Sequence, residues 1–277
     1  MTEFEKIFNT LHGSTFDNFI HKNNNVKKSV KASTYNTTIV TNQLKQYIWT
    51  KNNVVADGIY ATLNCLKLGL LLPSLIELRS TLEQISNLIS VEKESLQLFN
   101  ESSSIMNDTQ LIVELSSIIH KNTLATRIDW ENYVSNPIRG GKKKNYKSSE
   151  EFESIQAESI LNSIDYLDKQ LKGTRRAYEF LCEFAHPNAG AYLVFRSIKR
   201  EVKRNSPFTF IETILSNETP SSSIDWLKSP IIECYSILHD SLELFVNSSN
   251  NLNNIYKQTN KKSNTLIKQA LRNWEPI

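Results

Sequence analysis

Leu75, Leu78, Leu82, Ile85 and Ile89 stand three or four residues apart, and that spacing limits the possible folds more than any other feature of the chain. At 3.6 residues per turn it draws one apolar stripe down a helix, and the stripe has to be buried against something else. The same spacing returns in Ile160, Ile164, Leu167 and Leu171, and again in Ile231, Tyr235, Leu238, Leu242 and Phe245. Seven glycines and seven prolines in 277 residues supply few of the turns that a many-stranded β architecture needs. The pattern predicts a mainly α protein, a bundle of helices forming one domain over residues 1–277.

The expected elements follow from the apolar periodicity and its interruptions. Helices are expected over the second half of 30–49, from Val54 to Leu72, from Pro73 toward Phe99, and from Thr109 to His120. Asn52 and Asn53 precede the central pair, Pro73 starts or kinks its helix, and Glu101–Asp108 connects. Ser148 and Glu151 form a capping box for the helix that ends at Gly173. Two further helices are expected from Asp225 to Tyr256 and from Asn264 to Trp274. Near residues 191–215 two patterns compete. Phe195, Ile198 and Val202 suit a helix, whereas YLVF followed by PFTFIETIL suits a small β-hairpin, which fits the β-branched content slightly better.

Several function classes drop out. MTEFEKIF carries acids where a secretory leader carries bases, and the most apolar run, Gly58–Leu72, contains Asn64 and Lys67. A cytoplasmic protein with no membrane span is therefore expected. Cys65, Cys182 and Cys234 are odd in number, far apart and set in apolar helical patterns, as free thiols are. HExxH, paired CxxC, GxSxG and GxGxxG are absent, and neither a metal nor a cofactor is expected.

The net charge of +3 is too small to diagnose nucleic-acid binding, but its distribution is uneven. Arg139, Lys142, Lys143, Lys144 and Lys147 surround a glycine pair in a basic loop at about 136–148. Arg196, Lys199, Arg200, Lys203 and Arg204 form a second cluster, offset only by Glu201. Either can follow an RNA or DNA backbone through Coulomb attraction. The loop reads equally well as a solvated linker.

One site candidate remains. In TRRAYEFLCEFAHPN, Gly173 ends one helix and Thr174 N-caps a short one from Arg175 to Ala185. Pro187 forces that helix to stop at His186. The carbonyls of a helix end favour a cation, which suits His186 to acid/base work and equally to plain capping. On the upstream helix, Arg79 and Glu83 lie at about 100° and 140° from Leu78, on the border of the buried stripe and one turn apart.

Arg79, Ser80 and Glu83 make an R-S-x-x-E pattern, and Tyr178, Leu181, Cys182, Glu183, His186 and Pro187 make Y-x-x-L-C-E-x-x-H-P. The pair resembles bacterial helical proteins related to the HEPN superfamily. That resemblance implies a HEPN-like helical bundle with additional helices, often a homodimer. It also implies a metal-independent ribonuclease of a defence or toxin–antitoxin kind, or a catalytically reduced relative. The candidate site is then His186 as acid/base, Arg79 as stabiliser of phosphorane charge and Glu83 as the group orienting one of them, with Arg139, Lys142, Lys143, Lys144, Arg196 and Arg200 holding RNA. The chain departs from the family where arginine and histidine stand close together on one helix, since the nearest arginine before His186 is Arg176. The alternative is a noncatalytic protein-interaction module in which Arg79, Glu83 and His186 form a structural polar cluster.

Overall fold

The computed structural model describes residues 32–105, 108–123, 159–186, 194, 196–203, 209–215 and 227–272. Over these the protein is mainly α. Its helices are α1 (Ala32–Lys67), α2 (Leu71–Ile105), α3 (Asp108–Thr123), α4 (Ile160–Gln170), α5 (Thr174–Ala185) and α6 (Lys228–Arg272). The strands β1 (Arg196–Lys203) and β2 (Thr209–Leu215) pair antiparallel, with an irregularity between Ile198 and Arg200. Among the described residues no helix is long and apolar enough to cross a membrane.

The chain divides into two compact units. One collects, of the described residues, 49–90, 163–186, 194, 196–203, 209–215 and 227–250. In it the α2 stripe is sealed, with Leu75, Leu78, Leu82 and Ile85 wholly buried, and Ile59, Leu167, Leu181, Leu238, Leu242 and Phe245 are buried too. Its α1–α2 corner is set by Gly69 at φ 72°. The Leu70 N–H reaches the Cys65 carbonyl at 2.8 Å and the Gly69 N–H reaches Leu66 at 3.0 Å, the two bonds of a Schellman stop. Ser74 gives its proton to the Thr62 carbonyl at 2.8 Å, so the 2.7 Å contact with Tyr235 has the tyrosine hydroxyl as donor.

Within this unit α1 and α2 pass so close at Gly58 that a Cβ there would collide with Thr81 Oγ1, which donates to the Glu77 carbonyl at 2.8 Å. Gly58→Ala therefore trades a helix-propensity gain of about 1 kcal/mol against overpacking of roughly 1–3 kcal/mol. The expected result is a lower urea midpoint with unchanged slope; a raised midpoint would show that Thr81 rotates freely.

Lys51, half-buried in the same unit, donates to Gln84 Oε1 at 2.7 Å, and burial pushes its ammonium down to about 8. Above that pH the folded chain sheds a proton that the unfolded lysine keeps until about 10.4. Unfolded chains then bind more protons, so this residue makes stability rise with pH from about 8. The Cys234 thiol, pushed up to about 12 by burial, acts in the opposite direction once an unfolded thiol ionises. Chemical denaturation from pH 7 to 9 should show the rise, and Lys51→Met should remove it; equal slopes in the two proteins would refute the assignment.

The other unit draws on residues 32–48, 91–105, 108–123, 159–162 and 251–272. Its core includes Leu44, Tyr47, Val91, Leu111, Leu115, Ile119 and Leu252. Burial, with the Glu94 carboxylate nearby, raises the Tyr47 phenol well above its ordinary range. Asn251 donates to Glu92 at 2.9 Å, and Lys262 pairs with Asp108 at 2.6 Å. Burial raises the Glu92 carboxyl, and the Asn251 bond partly offsets this.

Helix boundaries differ from the sequence expectation, each for a local reason. Helix α1 is continuous through Asn52 and Asn53, because Asn52 accepts from Ser249 at 3.0 Å and Asn53 donates to the Trp49 carbonyl at 2.7 Å. With their amides occupied, neither competes with the helix. It stops at Lys67, short of Leu72, because Gly69 takes the left-handed conformation. Pro73 lies in the first turn of α2, where no intrahelical N–H bond is lost. The two C-terminal helices are one, α6, with Thr259 and Ser263 buried in it and Thr259 bonded back to Ile255.

Candidate functional site

The site is built on α2 and α5 of the first unit. Helix α5 begins at Thr174, one residue earlier than expected, and Thr174 is not its cap. Gly173 holds the N-cap place at φ 95°. Asp168, from α4, accepts the Gly173 and Arg175 backbone N–H groups at 3.0 Å each. The Arg175 N–H, helped by the Lys172 charge, holds the Asp168 carboxyl below its usual range. The Thr174 hydroxyl turns back to the Leu171 carbonyl at 2.6 Å instead. Arg175 pairs with Asp165 and Glu179, both at 2.8 Å, on an exposed face where such pairs contribute little.

The start of α5 fixes its rotation, and with it the inward face of Ala177, Tyr178, Leu181 and Phe184. Tyr178 is the member of that face with a polar end. Arg79 Nη2 donates to Glu83 Oε1 at 2.8 Å and to the Tyr178 hydroxyl at 3.1 Å. The Tyr178 hydroxyl passes its own proton to the same Glu83 oxygen at 2.8 Å. The guanidinium also lies 5.3 Å from the centre of the Tyr178 ring, a cation–π distance. The side chains of Arg79 and Glu83 keep 24% and 22% of their exposure, so the cluster is largely but not wholly closed to water.

The electrostatics follow from this geometry. Burial alone would favour deprotonating Arg79, but the bonds to Tyr178 and Cys182 and the Glu83 charge outweigh it and raise its pKa. Burial, then the bond to the Glu83 carboxylate, pushes the Tyr178 phenol up to about 12. Arg79 is thus held as a cation and Tyr178 as a neutral bridging donor. Arg79 Nε is buried with no hydrogen-bond partner among the described residues, a cost that native proteins seldom tolerate without a use for the group.

His186 closes α5 in an extended conformation, φ −97° and ψ 158°, with its N–H on the Cys182 carbonyl at 3.2 Å. The residue is exposed. Among the described residues no hydrogen bond or ion pair joins its ring to Arg79, Glu83 or Tyr178. The structure therefore brings Arg79 and Glu83 together, adds Tyr178, and leaves His186 outside that bonded set, one helical turn past Cys182. The sequence places Tyr178 in the Y-x-x-L-C-E-x-x-H-P pattern but not in the candidate site, because a tyrosine in an apolar stripe reads as core. The available signal was its place four residues before Cys182 and eight before His186 on a short helix.

Of the residues expected to hold RNA, Arg196 and Arg200 lie on β1, with backbone partners Leu215 and Glu212. Arg139, Lys142, Lys143 and Lys144, with the rest of the basic loop, lie outside the described residues. Compared with known proteins, the chain matches no family model, no curated protein and no solved structure.

Proposed function

We propose that the protein is a HEPN-like, metal-independent ribonuclease of a bacterial defence or toxin–antitoxin kind, working as a homodimer or with a partner protein. The observation that carries this is the bonding of Arg79 and Glu83 to Tyr178, which unites the two sequence motifs of the resemblance in one partly open cluster. His186 removes the proton of a ribose 2′-hydroxyl, the oxygen attacks the adjacent phosphorus, and the 5′-oxygen leaves, taking a proton from solvent. A 2′,3′-cyclic phosphate remains. Arg79 stabilises the charge that grows on the phosphoryl oxygens, a role for which a permanently charged planar donor is suited. Arg139, Lys142, Lys143, Lys144, Arg196 and Arg200 would hold the backbone.

A specific observation favours the second reading, a noncatalytic helical interaction module. Glu83 Oε1 already satisfies both Arg79 and Tyr178, as a purely structural clamp between two helices would. The experiment that separates the two is incubation of the purified full chain with labelled single-stranded RNA in EDTA. Cleavage to cyclic-phosphate ends supports the enzyme. Intact RNA at micromolar protein leaves the module.

A further inference from the structure

We infer that Tyr178 is a positioning residue, whose hydroxyl fixes the orientation of the Arg79 guanidinium; its part in catalysis rests on the ribonuclease reading. Glu83 alone cannot fix that orientation. It stands one turn from Arg79 on the same helix, and its contact is to Nη2, an i,i+4 pair in which a guanidinium can swivel about one nitrogen. Tyr178 comes from another helix and adds a second direction. It accepts from Nη2 at 3.1 Å, donates to Glu83 at 2.8 Å and lays its ring 5.3 Å from the guanidinium carbon. These contacts, with the Cys182 bond from the same helix as Tyr178, come from two helices and leave the plane of the cation one setting.

The position of the ring is set independently of the cluster. Tyr178 is 3% exposed, between Ala177 and Leu181 on the buried face of α5. The hydroxyl thus reaches Arg79 from a rigid support, the condition under which a side chain orients another precisely enough to matter for chemistry. At 3% exposure Tyr178 offers little surface with which to bind a phosphate itself, so its influence passes through Arg79.

Tyr178→Phe tests this in the full chain, because it keeps the ring and deletes only the hydroxyl. The first measurement is the ¹⁵N–¹H signal set of the Arg79 guanidinium, assigned by its loss in Arg79→Lys. Restricted, separately resolved Nη–H signals are expected in the wild type, averaged signals in Tyr178→Phe. Unchanged signals would overturn the positioning role. The second is the cleavage of a labelled RNA oligonucleotide in EDTA. There kcat should fall about tenfold or more while KM stays within about twofold. A rise in KM at constant kcat, or unchanged kinetics beside a lowered melting temperature, would make Tyr178 a binding or packing residue and overturn the inference. If the wild type cleaves no RNA, the ribonuclease reading falls, and the Arg79 signals still decide whether Tyr178 orients the cation.

Discussion

His186→Ala should leave the protein folded and lower RNA cleavage in EDTA by roughly 10²-fold or more, the usual scale for losing a general acid or base. Stability should change little because the residue is exposed and its helix-closing bond is made by the backbone N–H, which alanine retains. What goes is the interaction of the ring with the last carbonyls of α5, at most about 1 kcal/mol. A structural histidine bonded to Arg79 or Glu83 would behave differently, since its removal would strand a buried charge at a cost of a few kcal/mol. The geometry assigns those two residues to each other and to Tyr178. Activity assays and thermal melts of the same preparation separate the cases. An early-melting variant of an inactive wild type would remove the enzyme and leave the interaction module.

Phe245→Ala should destabilise the protein by about 3–5 kcal/mol, the cost of a large cavity plus the lost transfer energy of the ring. Phe245 is fully buried on α6, and domains of ordinary stability have only about 5–15 kcal/mol to lose. Equilibrium unfolding in urea measures the loss. Ile232→Ala is the control, since Ile232, on the same helix, is 63% exposed and should shift stability by no more than about 0.5 kcal/mol. Comparable losses in the two variants would show that burial along α6 has been misassigned.

Much of the helical architecture is legible in the chain because apolar spacing is a local signal. Leu75, Leu78, Leu82 and Ile85 are all buried, as their spacing required. The errors fall where a tertiary partner changes the meaning of a residue. Asn52 looks like a breaker until Ser249 occupies its amide. Thr174 looks like a cap until Asp168 takes the free N–H groups of α5. Gly58 carries no signal at all, since only the approach of Thr81 gives its missing side chain a purpose.

The site divides along the same line. Sequence alone determined that Arg79 and Glu83 share the border of one helix, that His186 ends another, and that Pro187 makes it end there, because helical phase and proline sterics act over a few residues. Only the tertiary structure decided that Tyr178, ninety-five residues beyond Glu83, completes the cluster and that His186 stands outside its hydrogen bonds. Such pairings depend on how two helices are rotated against each other. In α5 that rotation is set by Asp168 at its start and by the burial of Leu181 and Phe184 along it. No spacing within either segment encodes a bond between them.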